Sequence, residues 1–136
     1  MFHKTLTHTA FIAALMTGSN SYADHINKDV PANKASLLNF LYIISESSSC
    51  WQPGKPKMDI IDAPQHGEIR FRWSTQRWAA MRESCKKTGI NGMEIIYIPQ
   101  RGYHGPDHVR IGAQFSQYAN GQGSSYSSDT FNLTVK

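Results

Sequence analysis

The sequence predicts an all-β domain, a β-sandwich stapled by a single disulfide, and three observations carry that expectation. Six short segments rich in β-branched and aromatic residues recur between clusters of Gly, Pro, Ser and Asn. Three of them alternate apolar and polar residues with period two, the signature of strands with one face in a core and one in water. The only two cysteines, Cys50 and Cys85, stand in a chain whose N-terminus carries an export signature. No repeat of fixed period is present, which excludes propellers and solenoids.

The chain begins MFHKTLTHTAFIAALMTGSNSYADH. Lys4 precedes an apolar run over 10–16, and Ser21, Tyr22 and Ala23 form a small-x-small cleavage signature, so 1–23 reads as a secretory signal peptide. A membrane anchor needs roughly 20 consecutive apolar residues, and neither this run nor any later stretch approaches that. The expected location is the periplasm or the exterior. There an even pair of cysteines is most simply the disulfide Cys50 to Cys85, which stabilises the fold by about 4 kcal/mol on the chain-entropy estimate. The rival reading, a nucleophilic cysteine beside His25, His66, His104 or His108, requires a free thiol that an oxidising compartment removes. The formal net charge of +4 is modest and scattered, which argues against nucleic acid as a partner.

Taken in order, residues 24–36 are polar and contain Pro31, and read as a flexible lead-in to a single domain over 37–136. In 37–46, Leu37, Leu38, Leu41 and Ile44 fit a helical stripe, while Phe40 to Ile44 is a compact apolar run suited to a buried strand; a strand over about 39–45 agrees better with the β-rich remainder of the chain. The stretch WQPGKP is turn chemistry, and KMDIID is a short strand closed by Pro64 and Gly67. In EIRFRW, Ile69, Phe71 and Trp73 take one face and Glu68, Arg70 and Arg72 the other. Residues 74–87 fit either a short helix, from the spacing of Trp78, Met81 and Cys85, or a long connection pinned by the disulfide. KKTGING is a turn and EIIYI a strand. Val109, Ile111, Ala113 and Phe115 then alternate with His108, Arg110, Gly112 and Gln114. The Gly/Ser-rich stretch 118–128 reads as a connection too polar for a core, and Phe131, Leu133 and Val135 mark a last strand.

Between the fourth and fifth of these strands lies YIPQRGYHGPDHV. Pro99 ends a strand because it has no N–H for the ladder. Gly102 and Gly105 allow the positive φ of tight turns, Tyr103 folds back as an apolar plug, and the Asp107 carboxylate accepts hydrogen bonds from turn amides. The pattern Tyr97-x-Pro99-x-x-Gly102-Tyr103-x-Gly105-x-Asp107-x-Val109, with Pro64-x-x-Gly67-x-Ile69 upstream, resembles bacterial immunoglobulin-like and cadherin-like repeat domains. The span 57–115 also looks like small exported bacterial proteins that carry one such domain and a cysteine pair. The resemblance implies an immunoglobulin-like sandwich and an interaction or structural role in the cell envelope or exterior, not an enzyme. Pro106 and Arg110 depart from the pattern, in which a small polar residue and an aromatic are usual. Without an Asp/Asn cluster or a second repeat, the calcium of cadherin-type domains does not carry over, and no cofactor is expected.

Three sharper possibilities remain in the residues. Arg70, Arg72 and Arg110 all fall on polar strand faces; if those strands share one sheet, they form a basic patch for an anionic glycan, a lipid head group or an acidic protein. His104 and His108, with His66 or Asp107, have the residue types of a zinc site or a small hydrolase, but Gly105 and Pro106 forbid the helix that His-x-x-x-His requires. Glu46, Glu68, Glu83 and Glu94 provide carboxylates that nothing sets at catalytic separation. The chain has no Gly-x-Ser-x-Gly, His-Glu-x-x-His or phosphate-binding glycine loop, and Asn132-Leu133-Thr134 matches a glycosylation acceptor inside a strand.

Overall fold

The described residues form seven strands and one short helix, one strand more than the sequence pattern predicts. The structure is a computed structural model that describes residues 23–44, 50–116 and 123–136. Of the segment 1–23 read as a signal peptide, residues 1–22 lie outside the described residues, and Ala23 is the first residue of the first strand. In chain order the elements are β1 (Ala23–Val30), β2 (Ser36–Leu41), β3 (Lys57–Asp62), β4 (Gly67–Gln76), α1 (Glu83–Lys86), β5 (Ile90–Pro99), β6 (Gly105–Ser116) and β7 (Ser124–Val135). They form a four-stranded sheet in the order β1-β7-β6-β3 and a three-stranded sheet in the order β2-β5-β4. Every pairing is antiparallel except β1 with β7, which is parallel.

The core is the product of period-two alternation on both sheets. Val109 and Ile111 of β6, Phe131, Leu133 and Val135 of β7, and Ile95 and Tyr97 of β5 meet in one cluster with Val30 and Leu38. Each such apolar side chain stabilises the fold by roughly 1.5–3 kcal/mol on burial. The opposite positions of β6 and β7, such as His108, Arg110, Asn132 and Thr134, line the outer face of the four-stranded sheet.

Four boundaries differ from the sequence expectation, each for a physical reason. The lead-in is not flexible over its whole length: Ala23–Val30 is an edge strand paired with Ser128 to Val135. Only Ile26 and Val30 of β1 pack into the core, so its hydrophobic signal is too sparse to read locally. Another β1 residue facing inward, Lys28, donates to the carbonyls of Leu37 (2.8 Å) and Leu38 (3.2 Å), where a register shift interrupts the β2 ladder. β2 itself lies at 36–41 rather than 39–45, of which residue 45 lies outside the described residues; the bulge lets Leu38 face inward and so brings the strand start forward. The expected turn 86–92 is a strand from Ile90 onward, with Gly92 tolerated because the Phe40 ring occupies the space a side chain would need. The polar connection over 118–128 gives way at Ser124 to β7, where Ser128 is buried despite its polarity; its remainder at 118–122 lies outside the described residues. On the inner face of the same strand, Asp129 opposes Asp24 and accepts a 3.5 Å hydrogen bond from Asn39. Burial, then the Asp24 charge, raise its carboxyl above the usual range.

Of the two alternatives for 74–87, the structure combines both: β4 extends to Gln76, and the chain then forms α1. This excursion folds onto the outer face of the three-stranded sheet, where Met81, Cys85 and Ile90 form a second, smaller cluster with Phe40, Ile44 and Cys50. The Cys50–Cys85 disulfide is formed, spanning 35 residues with Cα atoms 5.1 Å apart. It joins the β2–β3 connection to the β4–β5 connection at one end of the sandwich. Gln52 ties the β2–β3 connection to the start of β5 by donating to the Ile43 and Asn91 carbonyls and accepting from the Asn91 amide.

The paired variant Cys50→Ser, Cys85→Ser is expected to lose about 4 kcal/mol of unfolding free energy. Urea denaturation of the two proteins, followed by tryptophan fluorescence, measures it, and a loss under about 1 kcal/mol contradicts the role given to the bridge.

Candidate functional site

The turn motif builds the opposite end of the sandwich. Pro99 closes β5, and Gly102 (φ 78°) and Gly105 (φ 134°) take left-handed backbone that other residues resist. Tyr103 folds back to pack against the main core, its hydroxyl donating to the Pro106 carbonyl and its ring stacked on His66 at 4.0 Å. Asp107 is buried on the inner face of β6, and its carboxylate takes four donors. Oδ1 accepts from the Gln65 amide (3.0 Å) and from the amide of its neighbour His108 (2.9 Å). Oδ2 accepts from the His66 amide (3.1 Å) and the Tyr97 hydroxyl (2.6 Å).

The Asp107 carboxylate accepts amide hydrogen bonds, but not from the turn that precedes it. Two of the amides come from the β3–β4 connection rather than from the turn at 100–104. One carboxylate thus couples β6 of the first sheet, β5 of the second, and the link between β3 and β4. Further bonds converge there: the Gln100 amide donates to the His66 carbonyl (2.7 Å), and the Gly102 amide to Asn33 Oδ1 (2.7 Å) in the β1–β2 turn. Burial, and next the Asp107 bond, push the Tyr97 phenol above its ordinary value of 10.0.

Above this corner, on the outer face of the four-stranded sheet, lies an open polar groove of about 830 Å³. Asn27, Asp62, His66, His108 and Asn132 are among the residues lining it. Asn132 donates to Asn27 (3.3 Å), whereas the Asp62 and His108 side chains have no hydrogen-bond or ion-pair partner among the described residues. Such a surface can bind hydroxyl or amide groups. His104 and His108 are both exposed, and Asp107 points inward while His108 points outward, so the trio considered for metal or hydrolysis does not converge. Among the described residues no group of three or more His, Cys, Asp or Glu is placed to hold a metal ion.

The arginine patch is a correction. Arg70 and Arg72 lie on β4 of one sheet and Arg110 on β6 of the other, so the three do not share a face. Arg70 pairs with Glu68 (2.7 Å), Arg72 pairs with the buried carboxylate of Glu94, and Arg110 reaches Ser128 (3.4 Å). The Arg72 bond holds the Glu94 carboxyl below its usual range, against the opposing effect of burial.

Sequence reasoning overlooks a different surface. On the outer face of the three-stranded sheet, Leu37 (47% exposed) lies beside half-buried Ile96, with Ile98 next along β5. Towards the disulfide end the rings of Phe40, Tyr42 and Trp78 succeed one another at 5.7 and 5.6 Å, Tyr42 being 40% and Trp78 37% exposed. The pair Glu68–Arg70 flanks it on β4, and the pair Arg72–Glu94 reaches across to the central strand opposite Phe40. The signal that could have found it is the doubling of apolar residues: Leu37-Leu38 and Ile95-Ile96 sit on strands, where adjacent side chains point to opposite faces, so one of each pair must face outward.

Compared with family models, with curated proteins and with solved structures, the chain has no match.

The variant Asp107→Asn leaves one amide without an acceptor, since the Tyr97 hydroxyl can turn to the His66 carbonyl 3.3 Å away, and is expected to cost about 2 kcal/mol of stability in urea unfolding. A loss below about 1 kcal/mol contradicts the geometry. A second expectation concerns pH. The folded state holds the Tyr97 proton more tightly than the unfolded chain, so this contribution is complete below about pH 10 and declines as pH rises above it. Unfolding free energy measured between about pH 8 and 11 falls in the native protein and falls less steeply in Tyr97→Phe; identical profiles contradict it.

Proposed function

We propose that this chain is an exported, non-enzymatic interaction module of the cell envelope or exterior, an immunoglobulin-like domain that binds a protein through the outer face of its three-stranded sheet. The observation that carries the reading is the group of apolar side chains Leu37, Phe40, Tyr42, Trp78 and Ile96 on this side of the sheet, with charged pairs alongside. Apolar patches of this kind, rimmed by polar groups, mark interaction sites, and aromatic residues dominate binding energy at such interfaces.

The immunoglobulin likeness draws support from the strand order. Lettered A to G along the chain, the strands divide into B-E-D and G-F-C, with A at the G edge; the B-E-D and C-F-G sets belong to opposite sheets of an immunoglobulin sandwich. Export draws support from the disulfide, which persists in oxidising compartments, and from the charged, apolar and small-residue sequence of the N-terminus. No helix among the described residues is long and apolar enough to cross a membrane.

A second reading, recognition of a polyhydroxylated ligand such as a neutral glycan, rests on the polar groove and its unpartnered Asp62 and His108. The basic-face version of glycan binding has no single face to act through.

The experiment is an affinity capture from envelope extract at low and high salt with the native protein and the double variant Leu37→Arg, Trp78→Ala. A discrete protein held by the native form at both salts and lost by the variant is the expected result. Equal retention by both forms refutes the assignment of this face, and glycan retention removed by Asp62→Ala transfers the function to the groove.

A further inference from the structure

Among the described residues the two sheets have four edge strands, and three of them are interrupted or guarded. The pairing of β2 shifts register between Leu37 and Asn39, and that of β3 between Ile60 and Asp62. β1 carries Asp24 and Lys28 on its inward side, and inward-pointing charge is a device by which edge strands avoid pairing with other chains. β4 is different. Its ten residues pair with β5 from Gly67 to Gln76 without a shift, and it contains no proline.

Two further features show that the sheet is unfinished at this strand. On the inner face, Ile69, Phe71 and Trp73 are only half-buried, whereas their cross-strand neighbours Tyr97, Ile95 and Met93 are at most 1% exposed. One additional strand beyond β4 closes that side. The backbone is also ready for it. The Gln100 amide donates to the His66 carbonyl, which fixes the alternation: even-numbered positions of β4 bond to β5, and the N–H and C=O groups of Ile69, Phe71, Trp73 and Thr75 point away from it.

We infer that β4 is a self-association edge, at which a second copy of this chain adds its own β4 antiparallel to make one continuous six-stranded sheet. The strand is complementary to itself. With Arg70 at the two-fold axis, Ile69 faces Phe71 of the second copy on the inner side. On the outer side Glu68 faces Arg72 of the second copy, whose exposed guanidinium has donors beyond those given to Glu94. The two Arg70 side chains that meet at the axis are each held 2.7 Å from a Glu68 carboxylate. Opposite charges directly across a strand pair favour it, and like charges disfavour it. The arrangement is isologous and closed, so it stops at two copies. It stands apart from the partner-binding reading above, since it uses the strand edge and leaves the apolar outer face of each copy open.

Sedimentation of the oxidised full chain over a wide concentration range is expected to show a reversible monomer–dimer equilibrium. Glu68→Arg, an exposed substitution, is expected to raise the dissociation constant by about tenfold or more, and Leu37→Arg to leave it unchanged. Amide hydrogen exchange locates the contact: Ile69, Phe71 and Trp73 gain protection as concentration rises. A monomer at all concentrations overturns the inference. So does a dimer that is insensitive to Glu68→Arg, or one in which those three amides exchange at the same rate at low and high concentration.

Discussion

The fold depends on one carboxylate. A buried Asp is costly unless its charge is matched by donors, and Asp107 meets that condition by drawing two amides from the β3–β4 connection and a phenol from β5. Those groups belong to segments that are distant in sequence, so satisfying Asp107 fixes how the two sheets are set against each other. The glycines around it serve the same end. Gly102 and Gly105 turn the chain sharply enough that β6 begins with Asp107 directed at the core.

The sandwich is therefore closed differently at its two ends. One end is held by a network of polar groups around Asp107, to which the Asn33 and Gln100 contacts add the remaining turns. The other is held covalently by Cys50 and Cys85, together with Gln52 and the small cluster of Met81, Cys85 and Ile90. Between these ends a domain of this size can bury only part of its apolar surface. That leaves apolar side chains on the outside of the three-stranded sheet and an edge strand in β4 that the domain does not use for its own stability.

Where the sequence is legible, a local pattern carries the structure. Alternation places β4, β6 and the later half of β7, and the even cysteine pair in a chain with an export signature points to the bridge. The turn motif can be read from the conformational needs of Pro99, Gly102 and Gly105, and the acceptor role of Asp107 from its chemistry. Illegible features are those that depend on partners far along the chain. β1 is a strand because β7 offers it an edge, not because ADHINKDV favours extension. Ser124 to Ser128 are extended because β6 continues opposite them. Strand periodicity shows that each arginine is on a polar face but not which sheet owns the strand, so the separation of Arg110 from Arg70 and Arg72 is invisible to it. The apolar outer surface is hidden in doubled residues that look like ordinary core.

The most direct test of the Asp107 account is a double-mutant cycle between Tyr97→Phe and Asp107→Asn, read by equilibrium unfolding in urea at neutral pH. If the phenol and the carboxylate act as one clamp, the two losses are not additive and the coupling energy is about 1.5–3 kcal/mol, as for a hydrogen bond to a charged group. Additive losses, with a coupling below about 0.5 kcal/mol, show that the two side chains stabilise the domain independently and contradict the account.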